Sequence, residues 1–174
     1  MKIKGVIIED FVNYKLPALY ISFPHCTFKC DQECGRPICQ NSALVHEPDI
    51  CIDKEELCDL YLSNPITQAI VCGGLEPFDS PLDLLPFIDT LRRKYKCNDP
   101  VIIYTGYTEE ELISGAYNQA ASVNRSMYEM LKKYPNIIIK FGRFVPDQNP
   151  HYDELLGVKL ASPNQYAKEI SDDD

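Results

Sequence analysis

The chain has 174 residues and a formal net charge of −9. That length suits one domain, 1–174, with a sizeable core, and no apolar run approaches the ~20 residues of a membrane span. The acidic balance argues against a nucleic-acid partner, which needs a basic face. The opening segment, Met1 to Asp10, lacks the apolar stretch and small-residue cleavage site of a secretory signal. A cytoplasmic location and no membrane partner are therefore expected.

Taken in order, Pro17 to Phe23 has the length and composition of a strand, and it leads into a cysteine-rich loop at about 24–42. Asp53, with Glu56 three residues on, predicts a capped helix over about 53–63. Thr67 to Cys72 reads as a buried strand ended by Gly73-Gly74. Ser80-Pro81 opens a helix to about Tyr95, with Leu84, Leu85, Ile88 and Leu91 at helical spacing. Val101 to Tyr104 is a strand, and Thr108 with Glu111 caps the next helix. A further helix is predicted over about 123–134, and Asn136 to Phe141 is another strand. The acidic tail 171–174 reads as a solvated end. Strands alternating with helices give an α/β fold with mostly parallel strands. An open, partial (β/α) barrel is expected, because the strands are too few for a closed eight-fold barrel.

Four of the eight cysteines, Cys26, Cys30, Cys34 and Cys39, fall within the loop after the first strand. Structural disulfides are rare in the cytosol, so a metal site is the better reading. Thiolates select zinc, copper(I) or iron–sulfur clusters. Zinc loops pair cysteines two to four residues apart with a second pair or histidines downstream. Here the gaps are three, three and four residues, and no second ligand cluster follows. Cys51, Cys58, Cys72 and Cys97 stand singly and read as small buried hydrophobes. The loop alone therefore favours an iron–sulfur cluster, with a structural zinc as the rival.

In parallel sheets, ligands bind where the carboxyl ends of the strands meet their loops. Three unusual loops fall at such positions: the cysteine loop, Gly73-Gly74-Leu75-Glu76-Pro77, and Thr105-Gly106-Tyr107-Thr108. One topology gathers all of them at one rim. Each has a plain alternative. A double glycine can be a simple turn, Glu76 a helix N-terminal carboxylate, Tyr104 and Tyr107 packing aromatics, Arg143 a surface ion pair, and His25 a polar loop residue.

Taken together, these segments resemble the radical S-adenosylmethionine superfamily and, within it, the activating proteins of anaerobic ribonucleotide reductase. The resemblance covers most of the chain. It runs through Ile8 to Asn13, Leu19 to Phe23 with Cys26 and Cys30, Cys39-Gln40-Asn41, Gly73-Gly74-Leu75-Glu76-Pro77, Tyr104 to Leu112, Gly142-Arg143-Phe144 and Ser162-Pro163-Asn164-Gln165. It implies a [4Fe–4S] cluster on Cys26, Cys30 and Cys39, one iron being left open for S-adenosylmethionine. It further implies contacts to that cofactor from Gly73, Gly74, Glu76, Pro77 and Gly106. Glycines allow close backbone approach, and Glu76 suits a ligand ammonium. The implied reaction is reductive cleavage of S-adenosylmethionine and formation of a glycyl radical on the reductase large subunit. A flavodoxin- or ferredoxin-type protein is the implied electron donor.

The chain departs from the resembled pattern in places. Eight residues separate Cys30 from Cys39, so 31–36 reads as an insertion with Cys34 as an extra cysteine. The ligand set Cys26, Cys30 and Cys34 stays open as the alternative. Tyr14-Lys15-Leu16-Pro17 follow Asn13 where glycines are common, and Phe141 stands where an acidic residue commonly precedes Gly-Arg-Phe. A radical enzyme with a different target and a non-catalytic zinc or iron–sulfur adaptor are the other functions to be weighed.

Overall fold

The computed structural model describes residues 1–114 and 119–172. The chain opens with β1 (Lys2–Ile3), β2 (Gly5–Asp10) and β3 (Ala18–Phe23). The cysteine loop holds α1 (Lys29–Cys34) and a 3-10 turn (Ser42–His46), followed by β4 (Ile50–Cys51), α2 (Lys54–Ser63) and β5 (Ala69–Gly74). A 3-10 turn (Pro77–Asp79) leads into α3 (Pro81–Asp89), which continues as a π-helical turn (Thr90–Lys94) before β6 (Val101–Tyr104). Next come α4 (Glu109–Ser114), α5 (Gln119–Leu131) and β7 (Ile137–Phe141). The hairpin β8 (His151–Asp153) and β9 (Val158–Leu160) precedes β10 (Tyr166–Ile170).

The main sheet has six strands in the order β10-β7-β6-β5-β3-β2. The inner four are parallel, and the edge strands β2 and β10 run antiparallel to their neighbours. The expected α/β architecture with mostly parallel strands is therefore present. Among the described residues the two edge strands do not pair with each other.

The parallel strands are buried on both faces, which explains their near-continuous apolar sequences. One face carries Leu19, Ile21, Ile70, Cys72, Ile103 and Ile139, packed against Leu57, Leu84, Phe87, Leu112 and Leu131 of the helices. The opposite face carries Ala18, Ala69, Val71, Ile102 and Ile138. It is covered by Tyr14 of the β2–β3 connection and by Leu156 and Leu160 of the β8–β9 hairpin. Helices thus occupy one face, while a loop and a hairpin cover the other.

Several boundaries differ from expectation. Gly73-Gly74 continue β5 instead of ending it, because their backbones pair with Ser22 and Phe23 of β3. The helix predicted over 123–134 covers Gln119–Leu131. The edge strands β2 and β10 and the β8–β9 hairpin were not predicted: their half-exposed sequences lack a continuous apolar run. Asp53 caps α2 through the Glu55 amide at 2.8 Å. Cys58, Cys72 and Cys97 are buried as expected, but Cys51 is exposed on the short β1–β4 ribbon. Ser171 and Asp172 are exposed; Asp173 and Asp174 lie outside the described residues.

Candidate functional site

All three unusual loops meet at one cleft of about 720 Å³ at the carboxyl ends of β3, β5 and β6. Its lining includes Cys26, Cys30 and Cys39, Gly73, Gly74 and Glu76, and Thr105 and Gly106. Pro77 is buried as the first residue of its 3-10 turn and does not line the cleft. His25 is exposed beside the loop, and its carbonyl accepts the Glu76 amide at 2.7 Å.

Asp31 organises the cysteine loop. Its Oδ1 accepts the amides of Ile38 and Cys39 at 2.8 and 2.9 Å, and the Cys30 thiol donates to the same oxygen at 3.7 Å. The carboxylate closes the neck of the excursion between them, so Cys39 returns to the cleft despite its distance in sequence from Cys30. Cys34 ends α1 in an exposed position and does not line the cleft. Burial pushes the Cys26 thiol up to about 12, against the hydrogen bond it accepts from the Phe28 amide. Burial likewise raises Cys30 to about 11, with the neighbouring Cys39 adding to the shift. These thiols stay protonated in the metal-free chain, whereas a bound cation makes coordinating thiols give up their protons. Among the described residues, no three Cys, His, Asp or Glu side chains are close enough together to hold a metal ion. The donor set itself, soft thiols carried on one short loop at a cleft, fits an iron–sulfur cluster.

Opposite the loop, the end of β5 is bare backbone. A Cβ on Gly73 would sit 2.7 Å from the Tyr20 hydroxyl, which itself accepts the Gly74 amide at 2.6 Å. Asn41 Nδ2 donates to the Gly74 carbonyl at 2.7 Å, tying the far end of the cysteine loop to the strand. Glu76 is buried, and its carboxylate accepts Thr105 Oγ1 at 2.8 Å, the Gly106 amide at 2.8 Å and the Phe78 amide at 3.1 Å. Burial pushes Glu76 up to about 7, opposed by the Gly106 hydrogen bond. A buried carboxylate near its titration point is suited to receiving a cationic group.

Acidic side chains hold the loop down. Thr108 and Glu111 form the expected capping box: the Thr108 amide donates to Glu111 Oε2 at 2.9 Å, and the Glu111 amide to Thr108 Oγ1 at 3.2 Å. Glu111 Oε1 also takes Arg143 at 2.6 Å and Lys29 at 3.5 Å, while Arg143 Nε lies 3.4 Å from Glu33. Arg143 therefore bridges α1 to the start of α4. Asp79 accepts the Thr27 amide at 2.8 Å and the Tyr107 hydroxyl at 2.7 Å. Sequence reasoning missed Asp31, Asp79 and the second role of Glu111, because lone carboxylates carry no spacing signal.

Comparison with models of known families, with curated proteins and with solved structures returns no significant match to this chain.

Proposed function

We propose that the protein is a radical S-adenosylmethionine activase with an open partial (β/α) barrel, acting on the glycyl-radical subunit of an anaerobic ribonucleoside-triphosphate reductase. The observation that carries the reading is the meeting of Cys26, Cys30 and Cys39 with Gly73, Gly74, Glu76 and Gly106 around one cleft. These residues come from three separate segments, and their shared lining of the cleft is what supports the reading.

Cys26, Cys30 and Cys39 would hold a [4Fe–4S] cluster, which, with a flavodoxin- or ferredoxin-type electron donor, would supply the one electron needed to cleave S-adenosylmethionine to methionine and a 5′-deoxyadenosyl radical. Everything else falls to the chain. Gly73 and Gly74 let the methionine moiety lie directly on the end of β5. Glu76 takes its ammonium group. Asp31, Asn41 and the Arg143–Glu111 pair fix the loop so that the thiols and the glycines keep one geometry. The β8–β9 hairpin and the 11–17 segment shield the second sheet face from water.

Glu76 gives this reading a pH signature. Its carboxyl titrates at about 7, so affinity for an ammonium-bearing ligand rises with pH up to that value and levels off above it. Glu76→Gln flattens the profile. A wild-type profile without this rise, measured by calorimetry with S-adenosylmethionine, removes Glu76 from the role.

Anaerobic reconstitution with iron and sulfide tests the function itself. Brown protein with about four irons per chain, and 5′-deoxyadenosine after reduction with S-adenosylmethionine, upholds it. Colourless protein that holds zinc and releases no 5′-deoxyadenosine makes the loop a structural metal site and overturns the enzyme reading. A glycyl-radical resonance on an added reductase then identifies the target.

A further inference from the structure

The β7 side of the cleft holds a buried cation for which the roles above have no use. Lys140 lies on the second sheet face, paired in register with Tyr104, and is 7 % exposed. Its Nζ donates to the Gly142 carbonyl at 2.7 Å and sits 5.9 Å from the Tyr104 ring centre. Among the described residues no carboxylate lies within ion-pair distance of it. An ammonium carries three donors, and among the described residues one of them is used. Burial pushes the Lys140 ammonium down to about 8, and Glu76, beyond ion-pair distance, is the carboxylate that opposes the shift; an anion in contact with Nζ would supply a direct counter-charge.

The rest of the lining agrees. In a chain of net charge −9, the charged residues around this cleft are Lys29, Lys140, Arg143 and Lys159, with Glu76 as the one carboxylate. Lys29 and Arg143 are paired with Glu111 and Glu33. Lys140, and Lys159 of β9, which also lines the cleft, have no carboxylate within ion-pair distance among the described residues. Gln165 Nε2 donates to the same Gly142 carbonyl at 3.3 Å, so the acceptor that Lys140 uses is already shared.

We propose that this side of the cleft is an oxyanion subsite, in which the Lys140 ammonium receives a carboxylate or phosphate group of the molecule bound there. The inference does not depend on the radical chemistry, because the subsite is formed by β6, β7 and the hairpin and is tested in the metal-free chain.

The test uses full-length metal-free protein carrying 15Nζ-labelled lysine, titrated with acetate, inorganic phosphate or neutral acetamide at constant ionic strength. One 15Nζ resonance, absent from Lys140→Met, is expected to shift saturably with acetate or phosphate and not with acetamide. By calorimetry, Lys140→Met is expected to bind the better anion at least about tenfold more weakly, and Lys140→Arg within about threefold of wild type. Equal responses to acetate and acetamide, or unchanged anion binding by a folded Lys140→Met, overturn the subsite. Should Lys140→Met fail to fold, the wild-type titration and Lys140→Arg decide alone. Saturation by acetate alone assigns a carboxylate ligand, and by phosphate alone a phosphorylated one. In reconstituted protein, unchanged S-adenosylmethionine affinity in Lys140→Met places the anion on a second molecule; a tenfold loss places it on S-adenosylmethionine itself.

Discussion

Alanine at Cys26, Cys30 or Cys39 is expected to abolish cluster assembly and 5′-deoxyadenosine formation, whereas Cys34→Ala retains both. The reason is the path of the loop and not the spacing of its cysteines. Cys30 and Cys34 are four residues apart on α1, the natural pairing for two ligands on one helix face. Yet Cys34 is exposed at the helix end, followed by Gly35 in the left-handed conformation that turns the chain away. Asp31 then draws residues 38 and 39 back, with both amides on one carboxylate oxygen. Loss of a single thiolate from a three-thiolate site leaves a second iron open, so the defect is expected in iron content and in the visible absorbance as well as in turnover. Activity lost in Cys34→Ala and kept in Cys39→Ala reverses the ligand assignment. Asp31→Ala provides an independent check: with the neck open, cluster yield falls although every cysteine is present.

The second large effect is expected at Gly74. Its φ is +80°, and an added Cβ would lie 2.8 Å from the Ser22 Cα and 3.1 Å from the Phe23 amide nitrogen. Those atoms belong to β3, which is paired to β5 at this register, so neither backbone can step aside. Left-handed backbone costs a non-glycine residue roughly 1–2 kcal/mol, and a clash against fixed backbone adds to it. Gly74→Ala is expected to lower unfolding stability by at least about 2 kcal/mol in total. It also pushes the rim away from Asn41 and Glu76, so ligand binding falls further than stability alone explains. Chemical denaturation and S-adenosylmethionine titration on the same sample check both parts. A variant as stable as wild type rules out the close approach of the two strands.

Much of the fold was legible from local signals. The apolar runs at 18–23, 69–72, 101–104 and 137–141 are strands because parallel strands covered on both faces need near-continuous apolar sequence. The Thr108–Glu111 box announced its helix because both partners are local. The edge strands and the hairpin carried no such pattern, since their pairing is set by neighbours far away in sequence. Of the site, the cysteines, the glycines and Glu76 stood out by type and order. Lys140 did not: within Ile137 to Phe141 it reads as a polar break in a strand, and only the register with Tyr104 and the fold of 142–165 over it makes it a buried cation on a cleft.

The sequence by itself determined the alternation of strands and helices, the presence of a thiol-rich loop at a strand end, and the small, bare backbone at Gly73 and Gly74. These follow from residue type and short-range periodicity, which act before the chain is compact. The tertiary structure decided which cysteine faces the cleft, which carboxylates hold the loop, and where a lysine loses its solvent. Those outcomes depend on contacts between segments tens of residues apart, Asp79 with Thr27 and Arg143 with Glu33 among them. Such contacts exist only once the sheet has set the distances.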